Sequence, residues 1–173
     1  MQNEAYQKLM DNLCDIVAEE QAKLGYMKEP IRLYYPLSSL NHFFGGDVSA
    51  DEMQEKLSKF KSFAYDKFGE VEITHKGERF CFFLSERATE YVHQNGGQNQ
   101  FIFDLVALFM EEVEALFAKQ KDVYEIEKMN HGEFDYMIHF VNSKDKYLYC
   151  FKDEGCHIIY HRFLPEDYED LGL

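Results

Sequence analysis

The sequence has no CxxC pair, no apolar run long enough for a membrane span and few basic side chains. Each lack removes a class of function. Cys14, Cys81, Cys150 and Cys156 are spread too thinly to act as a disulfide framework. Cys81 sits among phenylalanines and reads as a small buried hydrophobe. Asn3, Glu4, Lys8 and Asp11 interrupt any signal-peptide pattern at the start of the chain. The longest nearly apolar stretch, 101–110, contains Asp104 and falls well short of the roughly 20 residues a membrane span requires. A soluble cytoplasmic protein with no membrane partner is expected.

Basic residues number 18 against 32 acidic, for a net charge of −14. Residues 1–95 hold 11 basic and 16 acidic side chains, and residues 96–173 hold 7 and 16. Acidity of this order repels nucleic acid and anionic membranes, although it leaves room for a local basic patch. The motifs of common enzyme chemistries are missing too: there is no P-loop, G-x-G-x-x-G, H-E-x-x-H or G-x-S-x-G. The balance is against an enzyme, and no cofactor is expected.

What the chain does contain is ample core material, 46% apolar and 16% aromatic. Its most legible stretch runs from 48 to 84. Ser49 and Glu52 form a capping box, after which Met53, Leu57, Phe60, Ala64 and Phe68 recur at helical spacing and Gly69 ends the run. V-E-I-T at 71–74, a turn through His75-Lys76-Gly77, and R-F-C-F-F-L at 79–84 then read as a hairpin. Before this come a helix over 4–24 facing inward through Leu9, Leu13, Ile16 and Val17, a strand over 31–35 and a short helix over 37–44. The order helix, strand, helix, helix, strand, strand resembles a winged helix. Phe80 to Leu84, apolar on both faces, suits the central strand of that fold.

Ser85 is placed to open a further helix ending at Asn95-Gly96-Gly97, where the boundary between two units is expected. Beyond it, one helix over 98–119 is apolar nearly all round in its first half, so more than one face needs covering. Strands over 123–129, 133–141, 146–152 and 156–163 complete an antiparallel meander, and Pro165 opens a final helical turn. N-H-G at 130–132 and D-E-G at 153–155 match H-K-G at 75–77 as three-residue hairpin loops. That loop type would set Ile126 opposite Tyr136, Tyr124 opposite Ile138, His157 opposite Phe151, and His161 opposite Tyr147. The expected fold class is therefore α+β: a winged-helix-like unit over 1–95, then over 98–173 a long helix packed with a four-stranded antiparallel meander.

Several longer words are distinctive: E-E-Q-A-K-L-G-Y, I-R-L-Y-Y-P-L-S-S-L-N-H-F-F, V-E-I-T-H-K-G-E-R-F-C-F-F and C-F-K-D-E-G-C-H-I-I-Y-H-R-F-L-P-E-D-Y-E-D. They resemble a small bacterial family of uncharacterised function, over nearly the whole chain. The resemblance implies a soluble bacterial protein and brings no activity, substrate or catalytic residue.

Candidate sites can be weighed from the residues. A winged helix raises DNA binding, for which Lys59, Lys76 and Arg79 are the candidates. However, the outer face of the 50–68 helix, through Glu55, Ser58, Lys59, Ser62 and Asp66, is near neutral or slightly acidic, so nucleic acid is disfavoured. His157 and His161 form the candidate metal pair. On one strand they would stand about 13 Å apart, too far to share an ion unaided, with Cys150 and Cys156 facing the other way. Cys156 beside His157 suggests a thiol–imidazole pair, but strand neighbours face opposite sides. Glu125, Glu127, Glu133 and Asp135 read as a solvated hairpin face. Tyr124, Tyr136, Tyr147, Tyr149 and Tyr160 suit either partner binding or packing beneath the 98–119 helix. The expected role is a non-catalytic protein-interaction or regulatory module, with a protein or a second copy as partner through Phe101, Val106, Phe109, Tyr147 and Tyr149.

Overall fold

A computed structural model describes residues 2–95, 100–105, 109–130 and 132–170. The chain divides into two compact units, Met1–Gln98 and Asn99–Leu173. In the first, the elements are α1 (Gln2–Leu24), β1 (Ile31–Pro36), α2 (Leu37–Phe44), α3 (Ala50–Phe68), β2 (Val71–Lys76), β3 (Arg79–Leu84) and α4 (Glu86–Asn95). The sheet order is β1-β3-β2, with both pairings antiparallel. This is the winged-helix order, with the most apolar strand in the middle.

α3 forms where its sequence dictates. Glu52 N–H donates to Ser49 Oγ at 3.4 Å, and Ser49 N–H donates back to Glu52 Oε2 at 3.0 Å, closing the capping box. The Ser49 N–H bond holds the Glu52 carboxyl below its ordinary range. Met53, Leu57, Phe60, Ala64 and Phe68 are all fully buried. Burying one such large side chain contributes about 1.5–3 kcal/mol. The stripe meets Phe82 of β3, 6.4 Å from Phe60 between ring centroids, together with Leu9, Leu13 and Val17 of α1. Tyr35 of β1 anchors to the first helix, donating its hydroxyl to Asn12 Oδ1 at 2.7 Å.

β3 is not covered equally on its two faces. Phe80, Phe82 and Leu84 are buried, while Cys81 and Phe83 on the other face are half-buried. There Arg32, directly across from Phe83, lays its guanidinium 4.9 Å from that ring. A cation over an aromatic face shields it without a packed layer. Lys76 pairs with Arg79, so the hairpin turns on two residues, Gly77 and Glu78, rather than the expected three. Gly77 has φ +59°, as the first position of a tight type II′ hairpin requires. Ser85 donates its hydroxyl to Phe68 O at 3.0 Å, tying the start of α4 to the end of α3.

The second unit holds α5 (Gln100–Leu105), α6 (Met110–Ala118), β4 (Tyr124–Lys128), β5 (Tyr136–Phe140), β6 (Leu148–Asp153), β7 (Ile158–Phe163) and α7 (Pro165–Asp170). Its strands form one antiparallel sheet in sequence order. The expected continuous 98–119 helix is interrupted: Phe109 is extended (φ −84°, ψ 160°) and serves as the N-cap of α6. Phe117 is the centre of this core, with ring centroids of Phe101 and Phe140 at 5.0 Å and Tyr149 at 5.3 Å.

Both expected registers in this sheet are wrong, for a packing reason in each case. Ile126 faces Ile138 and Tyr124 faces Phe140, because the connection is longer than N-H-G alone. Phe134 is buried against His161 and Phe163, both at 5.9 Å, and Asp135 N–H bonds to Phe151 O of β6. Phe134 therefore leaves the β4 ladder, while Asp135 keeps one bond to that side, its carbonyl accepting from Met129 N–H at 2.8 Å. In the last hairpin His161 faces Cys150 and Tyr160 faces Phe151, around a four-residue loop. The expected register would have put Tyr160 on the face away from Tyr149 and Phe151. The observed one buries Tyr160 beside Phe151, 5.9 Å away.

Two substitutions test this account of α3. Ser49→Ala is expected to lower stability by about 1 kcal/mol, read from the urea midpoint. Gly69 has φ +69° and ψ −145°, and a Cβ there would lie 3.0 Å from Arg87 Cδ. Gly69→Ala should cost more, about 1–3 kcal/mol, in the same measurement.

Candidate functional site

In the first unit the candidate surface is the outer face of α3 with the β2–β3 hairpin. Burial of the inward stripe leaves Asp51, Glu52, Glu55 and Asp66 exposed alongside Lys59, Lys61 and Lys67. These charges very nearly cancel. Lys56 is drawn inward, its Nζ 5.7 Å from the Phe44 ring. Arg79, on the hairpin, stacks its guanidinium 4.7 Å from the ring of Tyr34. His75 donates its Nδ1–H to Gly77 O at 3.0 Å and stacks on Phe80 at 5.0 Å. Its Nε2 stands 3.7 Å from Asp51 Oδ1. The hairpin is thus fastened to the first turn of α3, and of the three expected DNA contacts Lys59 and Lys76 lie exposed on separate elements among carboxylates.

Two aromatic side chains, one on each flank of α3, were not singled out by the sequence pattern. Phe63 is 37% and Tyr65 52% exposed. Both fall outside the Met53-Leu57-Phe60-Ala64 stripe, and that displacement on the helical wheel was the available signal. Beside Tyr65 an open groove of about 490 Å³ runs between Lys61, Ser62 and Tyr65 of α3 and the start of β2 at Val71 and Glu72. Further along β2, Gln54 Nε2 donates to Ile73 O at 2.9 Å. Gln54 Oε1 is buried with no hydrogen-bond partner among the described residues.

In the second unit the expected partner residues do not share a surface. Tyr149 is fully buried and donates its hydroxyl to Asp145 Oδ2 at 2.6 Å. Phe101 packs on Phe117, Phe140 and Tyr149. Tyr147 is half-buried under the Arg162 guanidinium at 4.2 Å, Phe109 is 53% exposed, and Val106 lies outside the described residues. Two of these residues are used in the core because the helices cover the aromatic face of the sheet.

The last hairpin corrects two expectations about side-chain direction. Cys150 and His161 are cross-strand partners on one face, not on opposite faces. Cys156 and His157 lie in the loop, where Sγ and Nδ1 come to 3.2 Å, because a loop is free of strand alternation. His157 and His161 are accordingly not two residues of one strand face. Among the described residues no group of three or more His, Cys, Asp or Glu is placed to hold a metal ion. Of the acidic hairpin cluster, Glu125 stays on β4, 3.5 Å from His139 Nε2, while Asp135 instead accepts from Asp153 N–H at 2.9 Å.

The thiols are sharply distinct. Burial, with the Asp11 charge secondary, pushes Cys14 up to about 11, and burial pushes Cys150 to about 11. Cys156 is exposed. A maleimide probe at about pH 8 should modify Cys156 first and leave Cys14 and Cys150 protected until the chain unfolds, as mass spectrometry of the labelled protein will read.

Residues 6–172 match the family model described as "Domain of unknown function, E. rectale Gene description (DUF3877)". No curated protein and no solved structure matches the chain. Since the match leaves out only the two ends, and agrees with the resemblance carried by the sequence words, the chain belongs to the DUF3877 family.

Proposed function

We propose that the first unit is a non-catalytic protein-interaction module whose contact surface is the outer face of α3 and the adjoining edge of β2. One observation carries the reading: exposed aromatic rings on both flanks of α3, Phe63 beside α1 and Tyr65 beside β2, border a helix surface whose four carboxylates and three ammonium groups nearly offset one another. Aromatic rings with a polar rim are the composition of protein interfaces. A helix that reads DNA presents an excess of positive charge to the phosphates instead. The groove along Tyr65 adds concavity to the same place.

A photoreactive phenylalanine analogue placed at Tyr65 tests this in living cells. Discrete protein adducts are expected at Tyr65 and at Phe63, and none at Glu4, an exposed position on the side of α1 turned away from Tyr6. No adduct at either aromatic position would defeat the reading. The nucleic-acid alternative is read separately. The protein should pass through immobilised duplex DNA at about 50 mM salt, a condition that favours phosphate binding. Salt-dependent retention lost on Lys59→Glu and Lys76→Glu would overturn the assignment.

A further inference from the structure

We infer that the groove between α3 and β2 takes an extended, basic segment of a partner protein, which adds as a strand to the β2 edge. This rests on the interaction reading above and specifies its mode. β2 is the outer strand of its sheet. The two-residue turn closes on the Lys76–Arg79 pair, so Lys76, Thr74 and Glu72 direct their backbone groups at β3. Those of Val71 and Ile73 then point away from β3, along the open edge. Gln54 supports this assignment independently, because its Nε2 reaches Ile73 O at 2.9 Å as a neighbouring strand's N–H would. With Gln54 Oε1 buried and unpartnered, that amide is only half satisfied, so exchanging it for a strand donor loses little.

The other edges are less suited. β1 is flanked by Pro30 and ends in Pro36, and prolines blunt an edge. β4 carries Glu125, Glu127 and Lys128 within five residues, a heavily charged edge. β7 carries His161 and Arg162, which do not attract a basic segment, whereas β2 has a groove with an aromatic wall beside it, at Tyr65. The charge of the occupant follows from Glu70 and Glu72, both exposed where the groove meets the strand and outnumbering the one ammonium group of its lining, Lys61 on the α3 wall. Main-chain bonds would supply the affinity and alternate side chains the specificity, as in other strand additions.

The test pans a random decapeptide display library on the immobilised full chain, then follows the best peptide by amide exchange on the labelled protein. Sequences alternating Lys or Arg with apolar residues are expected. At saturation, exchange at the Val71 and Ile73 amides should slow by about tenfold. N-methylation of the peptide at alternate positions should weaken binding about tenfold by removing one hydrogen bond. Glu72→Lys should weaken the basic peptide by roughly three- to fivefold and favour its Glu-for-Lys counterpart. Glu72 is exposed, so the variant keeps the core intact.

Peptides that bind with unchanged Val71 and Ile73 exchange, or that tolerate N-methylation, would overturn strand addition while leaving the α3 interaction face standing. Enrichment of acidic peptides would overturn the stated partner. No enriched peptide, together with no cross-link at Tyr65, would remove both readings. Self-association lost in Glu72→Lys and restored in Glu72→Lys with Lys76→Glu would assign the edge to a second copy of the chain instead.

Discussion

The first unit depends on the contact of the α3 stripe with β3. Phe60 sits fully buried between Tyr6 of α1, at 5.9 Å, and Phe82 of the central strand, at 6.4 Å. Removing a ring of this kind costs about 3–5 kcal/mol, a large share of the total stability of a small domain. The contact also fixes which way the helix is turned. Once Met53, Leu57, Phe60, Ala64 and Phe68 point inward, Tyr65 and the surrounding charges can only point outward. Core packing therefore sets the candidate surface.

Under the proposed reading, that surface gives a winged-helix arrangement a use other than the one most often associated with it. Architecture alone does not carry function; the side chains grafted on it do. Here the hairpin's Arg79 stacks on Tyr34 and its His75 is held by Gly77, Phe80 and Asp51. The hairpin is consequently braced against its own domain, and the features left open are aromatic rings, a groove and a strand edge.

The second unit shows what short-range patterns leave out. Turn words of one form, H-K-G, N-H-G and D-E-G, close three connections of different length: a two-residue turn, a longer loop that buries Phe134, and a four-residue loop that exposes Cys156 and His157. A glycine permits a left-handed residue but does not count the residues around it. What chose each register was the large ring to be buried. A slip by an odd number of residues exchanges the two faces of a strand, which is why Tyr160 entered the core and His161 came to stand opposite Cys150.

The sequence by itself determined the first unit's elements, the capping box of α3 and its inward face, and the placement of the central strand. These are local matters of period, cap and composition, each settled within a few residues. It also determined the near-neutral charge of the outer helix face, since that follows from the same period. Only the tertiary structure decided the break at Phe109, the registers of the second sheet, the burial of Tyr149 and the groove between Tyr65 and Val71. Each of those depends on residues distant in the chain competing for the same space, and the energy of that competition resides in packing rather than in any local pattern.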